Sequence, residues 1–287
     1  MTWGETLKRA ADYLAAKGVD DAAVAVEFLL ARLLACGRGE LVGELAAEAD
    51  ERRLAAMRRG VVRLAQGEPV QYVIGEWDFR SLKLKCDRRA LIPRPETEEL
   101  VTRVLTHLRA RPAGSPPPFV VDVGTGTGAI ILALAREFTG AAVLLGTDVS
   151  PAAIELAREN AALTGLEGRV RFAVADGLDD FDEPESVDVI VSNPPYVERA
   201  VCDRLDRRVR DFEPRLALDG GESGLDFYDR YLADALNLLK PGGAVFFEIG
   251  ENQGAAVAQL MADYGFSAVR VEKDFAGHDR YAMATVA

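Results

Sequence analysis

Among its 287 residues the chain has only three cysteines, Cys36, Cys86 and Cys202. Odd in number and far apart, they exclude a disulfide framework and suit a reducing compartment, so a cytoplasmic location is expected. Histidine is scarcer: His107 and His278 stand alone, and no Cys/His cluster has ligand spacing, so no metal centre is expected. No run approaches the roughly 18 apolar residues needed to cross a bilayer. The start, Met1-Thr2-Trp3-Gly4-Glu5, lacks the basic-then-apolar order of a signal peptide. Positive charge is also in deficit. A net charge of −12 opposes non-specific adhesion to nucleic acid, which rests on neutralising phosphates with Lys and Arg. Neither a membrane nor a direct nucleic-acid partner is expected, although net charge does not exclude a local basic patch.

What the chain has is apolar bulk, 49% of its residues, enough for one large domain or two unequal ones. Residues 2 to about 66 read as short amphipathic helices. Thr2 with Glu5 predicts a capping box ahead of Trp3, Leu7, Ala10 and Leu14. Asp20 or Asp21 is placed to cap a second helix bearing Val24, Phe28, Leu29 and Leu33. Asp50 caps a third with Leu54, Met57, Val61 and Leu64. Nothing in this segment looks catalytic, so residues 1–72 are assigned to a helical domain that docks a substrate. The period then changes to two. Trp77, Phe79, Leu82 and Leu84 alternate across the Arg80-Ser81 corner, which predicts a β-hairpin within a linker spanning 73–93.

From residue 94 to 287 strand and helix alternate. Strands are expected at 119–123, 142–147, 169–174, 187–191 and 244–249, with helices between most of them. The pattern implies an α/β, Rossmann-like fold, a mostly parallel sheet with helices on both faces. The runs 267–272 and 281–286 are too close for a helical crossover, so the final strand should be antiparallel.

The first strand-to-helix turn reads Asp122-Val123-Gly124-Thr125-Gly126-Thr127-Gly128-Ala129. Glycines there let a backbone approach a ligand. Asp148 follows about 20 residues on, placed to accept from ribose hydroxyls. Any adenosine-bearing cofactor needs such an acid, so the motif alone leaves a dehydrogenase and a methyltransferase both open. The compact G-x-G-x-G favours a ligand without a pyrophosphate. Asp122, inside the strand, is costly to bury unless it holds the loop amides or a cofactor's amino group. Asp176, after the third strand, is placed to accept from an adenine amine.

Ser192-Asn193-Pro194-Pro195-Tyr196 ends the fourth strand of the sheet. The prolines stiffen the backbone and remove two N–H donors, leaving carbonyls free to accept. The Asn193 side-chain oxygen and the Pro194 carbonyl can take the two coplanar N–H bonds of an amide or exocyclic amine. Its nitrogen is then aimed at an electrophilic methyl group. Tyr196 offers a flat surface for the planar group.

The Asp122–Gly128 and Asn193–Tyr196 motifs resemble the class I methyltransferases that modify planar nitrogens. That group is broad, and other segments narrow it. Gln71-Tyr72-Val73-Ile74-Gly75, Leu91-Ile92-Pro93-Arg94-Pro95-Glu96-Thr97-Glu98, Phe212-Glu213-Pro214-Arg215 and Gly220-Gly221-Glu222-Ser223-Gly224-Leu225-Asp226-Phe227-Tyr228 resemble the bacterial peptide chain release factor glutamine methyltransferases, the HemK/PrmC family. The resemblance runs over nearly the whole chain. It implies S-adenosyl-L-methionine as cofactor, S-adenosyl-L-homocysteine as product, and N5-methylation of the glutamine in the Gly-Gly-Gln motif of release factors, its protein partners. It places cofactor contacts at Gly124, Thr125, Gly126, Thr127, Gly128, Asp148, Asp176, Gly177 and Asn193. Substrate contacts fall on Asn193, Pro194, Pro195 and Tyr196, with Asn193, Pro194 and Tyr196 catalytic. One departure is Gly177, where relatives often carry a bulky residue against the adenine; the resemblance implies lost packing and weaker cofactor binding. Arg94, Glu96 and Glu213 either act in the site or only brace it. The competing readings are a glutamine methyltransferase acting on a ribosomal protein and a nucleic-acid adenine N6-methyltransferase, which would carry a basic groove.

Overall fold

The computed structural model describes residues 1–179 and 181–287. They form two compact units, one of residues 1–76 with 206–212, the other of 77–205 with 213–287.

The first unit is helical, with helices Trp3–Ala16, Ala22–Leu34, Glu51–Ala65 and Val70–Ile74. Thr2 and Glu5 form the reciprocal capping box that their spacing predicts, and Asp50 accepts from the Arg53 N–H. Asp21 occupies the cap position of the second helix but makes no side-chain capping bond, because its own backbone is left-handed. The apolar stripes converge on one core that includes Trp3, Leu14, Leu30, Met57 and Leu64. Residues 73 and 74 pack against that core as part of the last helix. Residues 206–212 cluster with this unit too. The sequence reading kept them in the 94–287 domain, because a short Arg-rich stretch carries no periodic signal of where it packs.

The second unit holds a hairpin, β1 (Glu76–Phe79) with β2 (Leu82–Lys85), and a seven-stranded sheet. The sheet strands are β3 (Phe119–Val123), β4 (Val143–Asp148), β5 (Arg171–Val174), β6 (Val187–Ser192), β7 (Leu239–Glu248), β8 (Ser267–Lys273) and β9 (Asp279–Thr285). Their order is β5-β4-β3-β6-β7-β9-β8, parallel from β5 to β7 with β9 antiparallel to both of its neighbours. Side chains alternate between two faces. Val120, Val189, Phe246 and Met283 join the core under helices Pro95–Arg109 and Ala129–Glu137. Val121, Ile190, Phe247 and Ala284 join the core under Asp226–Leu238 and Gly254–Asp263. Burial on both faces is why these strands read as continuous apolar runs.

The hairpin is fastened to this unit. Phe79, Leu82 and Leu84 enter its core, and Arg80 at the turn pairs bidentately with Glu137 while also donating to the Glu98 carbonyl and the Thr102 hydroxyl. Short helical pieces at 199–202, 207–210 and 215–217 have no counterpart in the sequence reading. Each is about one turn long, too short to establish a period.

Candidate functional site

Strand order reverses at β3: the crossover after it runs to β4 on one side, whereas β6 lies on the other. Ligands of open α/β sheets bind in the crevice at such a switch, beyond the carboxyl ends of the strands. Val123 and Ser192 are register partners, and the Ser192 hydroxyl donates to the Val123 carbonyl at 2.6 Å. The Gly-rich turn and Asn193 therefore leave the sheet side by side, although they are far apart in the chain. Between them opens a cavity of about 360 Å³.

The turn is built for close approach. Gly124 adopts φ +73° with nothing near the position of a Cβ, and Gly128 adopts φ +81°, where a Cβ would stand 3.0 Å from Leu132 and 3.3 Å from Ala157. Asp148 pins the loop from β4: one carboxylate oxygen accepts from the Gly126 N–H and the other from the Ser150 N–H, both at 2.9 Å. Each oxygen has a further lone pair, and the residue lines the cavity. Burial raises the pKa of Asp148. Asp122 is fully buried behind the loop. It accepts from the Thr125 hydroxyl at 2.6 Å, and burial pushes its pKa up to about 7. Asp122 thus braces the turn, while Asp148 presents acceptors to a ligand.

Gly124, Thr125, Gly126, Thr127, Asp148, Asp176, Gly177, Asn193 and Pro195 all border the cavity. Gly128 does not; it caps the helix that begins at Ala129. Pro194 is buried, and Tyr196 is half-buried against the apolar core on the β6–β7 side. Burial raises the Tyr196 phenol to about 12, so it stays protonated. Asp176 is engaged by Arg230, which donates to its carboxylate at 2.8 Å and to its carbonyl at 2.6 Å.

Gly177 does not leave a hole. A Cβ there would stand 3.0 Å from the Tyr231 ring, and Phe227, with its ring centroid 5.8 Å from that of Tyr231, lines the same wall. Where packing was expected to be lost at Gly177, helix Asp226–Leu238 places two aromatic rings on the cavity wall. The sequence reading missed Phe227, Arg230 and Tyr231, because four-residue spacing of aromatics on a helix reads as core.

The opposite wall is the segment 89–94. Buried Glu213 fastens it, accepting from the Ile92 N–H at 3.1 Å and from the Arg94 guanidinium at 2.5 Å. Glu213 is thereby a brace. Glu96 contributes its carbonyl to the Tyr281 hydroxyl.

The cavity fits an adenosine bearing a short polar tail. Asp148 offers acceptors for vicinal hydroxyls, Phe227 and Tyr231 offer a flat apolar wall for a base, and the Gly-rich turn leaves room for the remainder.

Residues 119–275 match the methyltransferase domain family, and residues 5–75 match the PrmC N-terminal domain. A release factor glutamine methyltransferase of Moorella thermoacetica is 40% identical, over 99% of this chain and 98% of its own. Another, from Caulobacter vibrioides, is 37% identical over 96% and 93%. Among solved structures, a methyltransferase from Pyrococcus furiosus superimposes with a TM-score of 0.52 at 19% identity, covering 82% of this chain and 98% of its own. That likeness concerns the fold, and the fold is the class I methyltransferase arrangement read from the sequence.

Proposed function

The chain belongs to the release factor glutamine methyltransferase family, and on that premise we propose that it methylates the side-chain amide nitrogen of the glutamine in the Gly-Gly-Gln motif of peptide chain release factors. The observation that carries the reading is the placement of Asn193 beside the Gly-rich turn, on the wall of a single cavity. S-adenosylmethionine, held by residues 124–127, Asp148 and the Phe227–Tyr231 wall, supplies an activated methyl group on its sulfonium.

The chain then has only to present the acceptor. The Asn193 Oδ1 and the Pro194 carbonyl accept the two N–H bonds of the glutamine amide and aim its nitrogen. Those oxygens would stabilise the positive charge that grows on the accepting nitrogen when it is methylated. The extra proton leaves to water. Tyr196, neutral and half-buried, helps to hold the backbone of the motif: its carbonyl accepts from the Gln253 side chain at 3.0 Å. The helical unit recognises the body of the release factor, a protein partner met in the cytoplasm, with no direct role for nucleic acid.

Incubating the protein with release factor and methyl-labelled cofactor, then sequencing the modified peptide by mass spectrometry, tests the reading. One methyl group on the Gly-Gly-Gln glutamine is expected, and none when that glutamine is replaced. Methylation elsewhere on the release factor, or none at all, overturns it.

A further inference from the structure

Asn193 is held from behind. Its Nδ2 donates to the Thr97 hydroxyl at 3.1 Å, and that hydroxyl donates to Glu248 Oε2 at 2.6 Å. Thr97 sits in the first turn of helix Pro95–Arg109, and Glu248 ends β7 at 1% exposure. A carboxamide is nearly symmetric in shape, so packing alone does not decide whether its oxygen or its NH₂ faces a ligand. Hydrogen-bond polarity does decide it. An ionised carboxylate only accepts, and a hydroxyl has one proton to give. With that proton committed to Glu248, the Thr97 oxygen can only accept, and the group it accepts from is the Asn193 NH₂. We propose that Glu248, acting through Thr97, fixes the orientation of the Asn193 carboxamide so that its oxygen faces the amide to be methylated. The inference rests on the reading of Asn193 as the acceptor of that amide's N–H. Thr97, at the edge of the cavity, and Glu248 behind it are positioning residues that act through Asn193.

The relay has a second polarity. A protonated Glu248 can donate to Thr97, which then donates to the Asn193 oxygen, and the chain runs backwards. An NH₂ group would then confront the substrate N–H. Burial is the main cause that pushes Glu248 up to about 7, with Glu96 adding to it and Thr97, Arg280 and Arg94 opposing it. The phenols of Tyr196, Tyr228 and Tyr281 also face the carboxylate, and burial keeps all of them protonated. Glu248 therefore changes charge near neutral pH, as Asp122 behind the Gly-rich turn does, but of the two Glu248 is the one linked to Asn193, and it sets the acid limb of the rate.

Single-turnover methylation of release factor by Thr97→Val, Thr97→Ser, Glu248→Gln and Asn193→Ala, with cofactor affinity by calorimetry and a thermal melt for each, tests the relay. By analogy with groups that orient metal ligands, whose loss costs ~10–100-fold in affinity or activity, an effect of that order is expected. Thr97→Val should lose that much while binding cofactor as the parent does, and Thr97→Ser should restore most of it. The parent rate should fall on the acid side of about pH 7, and Glu248→Gln should be slower but flat across that range, because its amide does not titrate. Thr97→Val at the parent rate overturns the relay, as does an unchanged acid limb in Glu248→Gln. The latter remains decisive should Thr97→Val fail to fold. Asn193→Ala at the parent rate would instead remove the acceptor role itself, whereas a crippled Asn193→Ala beside a normal Thr97→Val removes only the relay.

Discussion

Two carboxylates at the carboxyl ends of neighbouring strands illustrate how burial separates roles. Asp148 on β4 spends one lone pair of each oxygen on backbone N–H groups and keeps the rest toward the cavity. Removing it strands the donors of a bound ribose, so Asp148→Ala should weaken cofactor binding by about 1–3 kcal/mol, measured by calorimetry. Asp122 on β3 is fully buried and accepts from the Thr125 hydroxyl of the loop. At Asn193 the expected rate order is parent, then Asn193→Asp, then Asn193→Ala. The alanine should lose about 10²–10³ in single-turnover rate, by analogy with deleted oxyanion donors. A carboxylate still accepts hydrogen bonds, yet its charge must be desolvated, so rescue should be incomplete. Cofactor affinity should change far less than turnover in both. The places of Asp148 and Asn193 beside one cavity follow from motif spacing. Those of Thr97, Glu248 and Tyr231 do not, because nothing along the chain marks residues whose partners are 96 and 151 positions away.

Elements are held by features that a periodic pattern shows only in part. The stripe Leu54, Met57, Val61 and Leu64 marks the inner face of helix Glu51–Ala65. It does not show that Gly60 is where helix Ala22–Leu34 crosses closest. A Cβ at Gly60 would lie 2.5 Å from the Leu29 side chain. Gly60→Val should therefore destabilise the helical unit by about 1–3 kcal/mol through overpacking. A chemical-denaturation series reads this directly, and cofactor affinity should stay at the parent value because the cavity belongs to the other unit. The hairpin shows the same division. Alternation of Phe79, Leu82 and Leu84 identifies the strands, whereas the Arg80–Glu137 pair that fastens the turn joins residues 57 apart in sequence.

For the whole molecule, two consequences follow from its division and its buried charge. Residues 206–212 cluster with the helical unit, so that unit is not a simple N-terminal segment. If it recognises the release factor body, deleting residues 1–72 should leave cofactor affinity unchanged and lower methylation of intact release factor far more than that of a short Gly-Gly-Gln peptide. Equal losses on protein and peptide would assign the unit another purpose. The second consequence concerns pH. Burial holds Asp122 and Glu248 at about 7 in the folded state, against about 4 for carboxyls in an unfolded chain. Between those values the folded state binds more protons, so stability is full below the unfolded values and is lost as pH rises toward 7. Each group contributes up to ~1.4 kcal/mol per pH unit in that window. Glu159, drawn down to about 2 chiefly by its hydrogen bond from Arg89, acts only at lower pH, while the lowered pKa of half-buried His107 gives an opposing contribution. Melting temperatures should fall from pH 5 to pH 7, within the range these shifts define, and Asp122→Asn should flatten the slope because its amide oxygen still accepts from Thr125 without titrating.

The order of strands and helices, the Gly-rich turn, the acid at the end of β4 and the Asn-Pro-Pro-Tyr segment were determined by local sequence, since periodicity, glycine conformation and proline stiffness act over a few residues. The same local reading placed the final strand antiparallel, because too little chain separates it from its partner for a crossover. The tertiary structure decided what lies beside what: the shared cavity of two motifs leaving adjacent strands, the aromatic wall that fills the space at Gly177, and the carboxylate–hydroxyl–amide chain behind Asn193. Those depend on contacts between residues many positions apart, whose free energies are set by burial and hydrogen-bond geometry and leave no period in the sequence.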